Sequence, residues 1–255
     1  MSQSTLNHLG QPVGSALDGW TAPQLPSRSS LVGRHCRVEP LDSRRHAGEL
    51  YEATAADGEG GIWTYLSYGP FASVADLRAW AESAAAPEDP LFFAIVDETD
   101  GRAAGMASYL RIASAVGSIE VGSICYAPRL QRTTVATEAM VLMMRNAFEL
   151  GYRRYEWKCD ALNAPSIAAA ERLGFSFEGV FRHATIFRGR NRDTAWFAIV
   201  DEDWEVLKTQ YERWLDPDNF KATGEQRKSL SSLTAPFVRR RFASWWPAPV
   251  AKVSL

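Results

Sequence analysis

The run Tyr126-Ala-Pro-Arg-Leu-Gln-Arg-Thr-Thr-Val-Ala-Thr-Glu-Ala-Met140 constrains this chain more than any other stretch. It reads as the end of an apolar strand, a tight loop and the first turns of a helix. A helix reached directly from a strand exposes unpaired backbone N–H groups and the positive end of the macrodipole, which together seat a phosphate or pyrophosphate. The feature points to a nucleotide-bearing ligand.

The segments around this run alternate between strand and helix. Arg37 to Leu41 reads as a short strand, and Arg44 to Ala56 and Val74 to Ala86 as helices, the second with Leu77, Trp80 and Ala81 at helical spacing. Leu91 to Val96, Ala103 to Ile112 and Ser118 to Tyr126 read as consecutive strands separated by turn signals at Asp100-Gly101 and near Gly117, which predicts an antiparallel meander. The helix from Thr134 to Leu150 carries Val135, Ala139, Leu142, Met143 and Ala147 on one stripe and stops at Gly151. Arg154 to Cys159 is the next strand, and a helical crossover between two strands makes them parallel. A second helix is punctuated by Asn163, Pro165 and Gly174. Strands near Ser176 to Phe187 and Thr194 to Val200 follow, joined by the polar turn Arg188 to Arg192, and the last helix runs from Glu202 to Leu215. The pattern predicts one mixed sheet with helices on its faces.

Residues 1–32 are rich in Ser, Gly and Pro with little periodicity and read as a flexible extension. Residues 216–255 form a less patterned C-terminal extension, leaving 33–215 as the folded domain. In that tail, Phe242, Trp245 and Trp246 beside Arg239, Arg240 and Arg241 could dock on a partner, stay disordered, or strap over the core. A net charge of −2 supplies no global field for nucleic acid or anionic lipid. No stretch approaches the length of a membrane span and no secretory signal opens the chain. Cys36, Cys125 and Cys159 are widely separated, with neither zinc-finger spacing nor a disulfide framework, and read as buried thiols of a reducing compartment. The expected location is cytoplasmic. Signatures of phosphoryl transfer, zinc hydrolysis and serine hydrolysis are absent, and no metal is expected.

The order of elements, the Gln131-Arg-Thr-Thr-Val-Ala136 loop opening a helix, and Asn163-Ala-Pro-Ser166 followed by Glu171-Arg-Leu-Gly-Phe175 resemble the GCN5-related N-acetyltransferases (GNAT), and more narrowly their RimJ/RimL branch. The resemblance spans about Arg34 to Leu215. It implies an α/β (α+β) GNAT fold, a mixed and mostly antiparallel central sheet with a splayed parallel strand pair, flanked by helices. It also implies acetyl-CoA as cosubstrate, with its pyrophosphate on the N–H groups of Arg132, Thr133, Thr134, Val135 and Ala136 after Gln131. The family pattern has glycine where this chain has Thr134. Threonine lacks glycine's freedom at positive φ, but it can donate a hydroxyl to phosphate or cap the helix. The pantetheine arm would lie in the splay beside Ser123, Ile124 and Cys125, whose backbone would polarise the thioester carbonyl. Gly122 would mark a bulge in that strand or serve as a packing glycine.

Acyl transfer from a thioester to an amine needs a neutral nucleophile, a stabilised oxyanion and help for the departing thiolate. The resemblance places Asn163 beside the pantetheine amides and Ser166 near the sulfur as proton donor; on local grounds alone both residues could simply cap their helix. Glu120 and Glu156 are the candidate bases, with burial beside Ile119 or Trp157 expected to raise a carboxylate pKa. A water chain is the alternative, and His183 is a further candidate set against a surface or packing role. Trp63 and Tyr65 are candidates for an acceptor pocket. No cysteine sits in the loop or beside a base, which favours direct attack over an acyl-enzyme. The expected acceptor is a primary amine, either a protein N-terminus or a small molecule, and a homodimer is left open. A non-catalytic acyl-CoA sensor is the competing reading, suggested by Thr134 and by the aromatic and basic tail.

Overall fold

A computed structural model describes residues 4–244; Trp245 and Trp246 lie outside the described residues. The chain opens with a small hairpin of β1 (Ser4–Leu6) and β2 (Pro12–Gly14). The main sheet begins with β3 (Leu31–Val32) and β4 (Cys36–Pro40), followed by helices α1 (Ser43–Ala55) and α2 (Val74–Ala85). The meander β5 (Leu91–Asp97), β6 (Arg102–Ala113) and β7 (Ser118–Tyr126) leads into α3 (Thr134–Glu149). After it come β8 (Arg154–Asp160), α4 (Ala164–Arg172), β9 (Ser176–Phe187), β10 (Arg190–Val200), α5 (Asp201–Leu215) and the short α6 (Leu230–Thr234). The eight main strands lie in the order β3-β4-β5-β6-β7-β8-β10-β9. Every neighbouring pair is antiparallel except β7–β8, which the α3 crossover joins in parallel.

The sheet is buried on both faces. In β5, Leu91, Phe93 and Ile95 face one core while Phe92, Ala94 and Val96 face the other, so its sequence is an unbroken apolar run. The first core joins Ile119, Val121, Tyr155, Trp157 and Phe197 to α3, α4 and α5; the second joins β5 and β6 to Leu50, Leu77 and Trp63. Glu138, on the second turn of α3, accepts N–H hydrogen bonds from Arg34 (3.0 Å), His35 (2.6 Å) and Cys36 (2.9 Å). It thereby fixes the first strands of the sheet to the helix that carries the site, and a β-carbon at Gly33 would run into its carboxylate.

Both extensions contact the domain. Arg28 donates to the carbonyls of Ala86 and Pro87 beyond α2. At the other end, Arg239 pairs with Asp203, Arg241 with Glu171, and Phe242 packs its ring on Phe177 and Phe197. Phe177 N–H donates to Arg240 O, so the tail covers part of edge strand β9. Of the alternatives for this tail, the intramolecular strap is what residues up to Ser244 form.

Candidate active site

The parallel pair β7–β8 is short. Ser118, Ile119, Glu120 and Val121 pair with Arg154, Tyr155, Glu156 and Trp157, and there the pairing ends. β7 continues along β6 to Tyr126 and β8 along β10 to Asp160, so the strands diverge and leave a V-shaped opening with its vertex at Val121 and Trp157. The main-chain groups on the inner edges of the V have lost their strand partner. β7 also bulges here: Met106 pairs with Cys125 and Ser108 with Gly122, so Ser123 and Ile124 together oppose Ala107. The left-handed residue of the bulge is Ser123 (φ 52°), one position beyond Gly122. Tyr68 Oη donates to the Ser123 carbonyl at 2.6 Å and holds that geometry. Gly122 is a packing glycine, since a β-carbon there would press on Leu110.

The loop after β7 ends at α3, which points its N-terminus to the same end of the sheet. Gln131 Nε2 donates back to Tyr126 O (3.1 Å), and Arg132 takes the left-handed turn at φ 61°. Thr133, not Thr134, caps the helix: its hydroxyl accepts Ala136 N–H at 3.1 Å and donates to Leu130 O at 2.7 Å. Ala136 N–H is therefore committed to the cap, which corrects its expected place among the phosphate donors. The N–H groups of Arg132, Thr133, Thr134 and Val135 have no protein acceptor among the described residues. The positive φ expected of a glycine at position 134 falls on Arg132 instead. Arg172, on the last turn of α4, donates to Thr137 Oγ1 (2.9 Å) on the adjoining face of α3 and has no carboxylate partner among the described residues. Burial holds its pKa below the ordinary value. An anion at the start of α3 suits this arrangement of unspent donors and an uncompensated cation.

Asn163 and Ser166 sit across the V at the start of α4. Asn163 Oδ1 accepts Ser166 N–H (3.2 Å), leaving its amide nitrogen as a donor, while Trp157 Nε1–H donates to Ser166 Oγ at 3.0 Å. Burial pushes the Cys159 thiol up to about 12, with Ser166 opposing it, and pushes Cys125 up to about 12 as well, so neither is a ready nucleophile.

Glu120 and Glu156 are register partners and belong to one ladder of charges. Arg111 engages Glu120 through two nitrogens, Lys158 Nζ lies 3.0 Å from Glu120 and 2.6 Å from Glu156, and Arg154 bridges Glu156 and Glu178. Lys158 also rests 3.7 Å from the centre of the Trp196 ring. Burial does push the Glu156 carboxyl up, but hydrogen bonds from Lys158 and Arg154 outweigh it and hold the group below its ordinary value. The expected upward shift is thus reversed at Glu156, because the cations that satisfy it come from strands whose register the sequence does not display.

The loop after α1 closes over the V from the other side. Trp63 is buried against Tyr68 and Phe71, so it supports the loop and does not line an open pocket. Tyr65 Oη donates to Leu162 O (3.1 Å) across the opening, and Arg188 at the tip of the β9–β10 hairpin donates to Leu66 O and Gly69 O. His183 is exposed in a bulge of that hairpin (φ 52°), its N–H held by Asp193 at 2.7 Å. Sequence reasoning missed Tyr68, Arg172, Arg188 and Lys158. Only Arg172 carried a signal, its place inside the Glu171-Arg-Leu-Gly-Phe175 motif; the others depend on contacts between distant segments.

Residues 36–176 match the family model of the acetyltransferase (GNAT) domain. No curated protein matches the chain. Among solved structures, a GCN5-related N-acetyltransferase from Brucella melitensis is 44% identical, with a TM-score of 0.83 over 86% of this chain and 100% of that one. A probable GNAT-family acetyltransferase from Chromobacterium violaceum is 37% identical, with a TM-score of 0.71 over 76% of this chain and 98% of that one. The microcin C7 self-immunity acetyltransferase MccE, solved with acetyl-CoA and AMP, shares the fold at 22% identity and a TM-score of 0.60, over 69% of this chain and 98% of that one. With its splayed parallel pair, its α3 loop and these matches, the chain belongs to the GNAT acetyltransferases and is an acyltransferase.

Proposed function

We propose that this enzyme moves acetyl from acetyl-CoA to a primary amine by direct attack, and that it falls in the RimJ/RimL-like branch. The observation that carries the reading is the V between β7 and β8 lying beside a helix start with unspent N–H groups at residues 132–135. Acetyl-CoA supplies the activated acyl group. Arg132, Thr133, Thr134 and Val135 hold its diphosphate, and Arg172 adds charge from α4. The inner edge of β7 at Ser123, Ile124 and Cys125 faces the thioester and polarises its carbonyl, while the free amide nitrogen of Asn163 binds the pantetheine. Ser166 stabilises the departing sulfur. Glu156, held below its ordinary value, stays ionised beside Glu120, and the two hold the vertex of the V, so the proton leaving the amine passes to water at the mouth. The cysteine thiols, raised by burial, leave direct attack as the route. Three free, buried cysteines fit a cytoplasmic enzyme.

The ties from Tyr65 and Arg188 narrow the mouth and favour a slender acceptor, either a small amine or the free N-terminus of an extended chain. The two features that suggested a non-catalytic sensor lose their force. Thr134 needs no positive φ, and the tail through Ser244 is packed on its own domain. The test is thiol release from acetyl-CoA against a panel of amines and N-terminal peptides, expected with at least one acceptor. Coenzyme A that failed to raise the melting temperature, together with no thiol release, would refute the reading.

A further inference from the structure

Trp157 is the last residue of β8 to pair with β7, which puts its indole at the vertex of the V. Its ring is buried, edge-on to Phe175 at 5.6 Å, and its N–H has one acceptor, Ser166 Oγ at 3.0 Å. A serine hydroxyl has one proton and two lone pairs. With the indole N–H on one lone pair, its proton is directed away from the ring. A donor on the oxygen also polarises the O–H and strengthens the bond it gives.

We propose that Trp157 is a positioning residue, whose indole N–H aims and polarises the Ser166 hydroxyl so that it gives its hydrogen bond to the coenzyme sulfur as the thiolate departs. This rests on the role given to Ser166 above. The amine nitrogen forms the new C–N bond, the C–S bond breaks and its electron pair goes to sulfur. The proton lost by the nitrogen goes to water, and the Ser166 proton stays on its oxygen, because a thiolate is the more stable anion.

The experiment compares Trp157→Phe, Ser166→Ala and the double variant with the wild type, once an acceptor is known. Trp157→Phe keeps an aromatic ring and removes the donor; kcat should fall about five- to tenfold with KM for acetyl-CoA within about twofold. The double variant should be no slower than Ser166→Ala, since the indole acts only through the hydroxyl. A second readout needs no turnover and no change at Trp157: in Ser166→Ala the Trp157 indole N–H proton resonance should move upfield. An unmoved resonance, an unaffected kcat in Trp157→Phe beside a reduced one in Ser166→Ala, or multiplied losses in the double variant would each overturn the inference and leave the acetyltransferase reading intact. Wild-type protein that released no thiol with any amine would remove that reading and this one with it.

Discussion

Replacing Lys158 with methionine tests the ladder at the vertex of the V. The ammonium stands 3.0 Å from Glu120 and 2.6 Å from Glu156, and the three side chains are 7%, 2% and 11% exposed. Methionine keeps the length of the stem and its contact with Trp196 but leaves two carboxylates facing one another across the paired strands. Deleting one partner of a fully buried pair costs about 3–5 kcal/mol. Arg111 and Arg154 remain as partners, but their side chains are 58% and 28% exposed. Solvent screening weakens their compensation without abolishing it, and their continued pairing lowers the cost of the substitution to about 2–3 kcal/mol. At roughly 2–4 °C per kcal/mol for a chain of this size, the melting temperature at neutral pH should fall by about 5–10 °C. The pH dependence has a definite sign. In the wild type Glu156 is held below its ordinary value, so its contribution is complete above the unfolded carboxylate pKa of about 4.3 and is lost as pH falls through the lower folded value. In the variant, burial that already pushes Glu156 up loses the Lys158 hydrogen bond that opposes it. A folded carboxyl raised in this way stabilises below its unfolded pKa and loses that stability as pH rises, so the variant's deficit should be largest at pH 7 to 8 and shrink toward pH 5. Thermal unfolding followed by circular dichroism across that range measures it, and adding Glu120→Gln with Glu156→Gln should recover most of the loss. A melting temperature within about 2 °C of wild type at pH 7, or a deficit that grew in acid, would refute the reasoning.

Three further perturbations address separate parts of the structure. Thr133→Ala removes the cap of α3 and should cost about 1 kcal/mol in urea unfolding, while calorimetry shows weaker binding of coenzyme A to the frayed helix start; undiminished affinity would separate the cap from the ligand site. Glu138→Gln replaces a carboxylate that accepts three N–H groups with an amide that cannot satisfy all of them, and should cost about 2 kcal/mol without changing KM for acetyl-CoA. Iodoacetamide at pH 8 should leave the native thiols unmodified and acetyl transfer intact, because burial has pushed Cys125 and Cys159 up to about 12; mass spectrometry showing rapid native labelling at either would contradict that placement.

Much of the fold was legible because its signals are local. Ser118–Tyr126 and Ser176–Phe187 match their expected strands end to end, and Asn163, Pro165 and Gly174 punctuate α4 as the capping rules require. β10 begins at Arg190 instead of Thr194, since the hairpin runs past the core and its polar residues pair through the backbone, with Arg188 and Gly189 forming its turn at positive φ. The V came from the family resemblance, because where a parallel pair stops is a matter of register and not of composition. The ladder was illegible for the same reason. Glu120 and Glu156 were visible as carboxylates on strands, but their burial with Lys158 follows from a β7–β8 alignment between segments separated by a whole helix.

The threonine at position 134 shows how such a loop can dispense with its glycine. A glycine there would serve two ends, a left-handed backbone and room for a ligand to approach the main chain. Here Arg132 takes the left-handed conformation at φ 61°, a strain of roughly 1 kcal/mol for a non-glycine residue, and Thr133 has the β-region backbone of a cap. Thr134 is then the first helical residue, a position where a side chain is no burden on φ. A left-handed residue just ahead of a helix also turns successive N–H groups toward one point, which is the geometry of an anion nest. Only the second function of glycine, closeness of approach, is given up. Threonine returns a hydroxyl at that place, so the diphosphate of the proposed coenzyme, kept slightly farther from the backbone, would gain a side-chain donor in exchange.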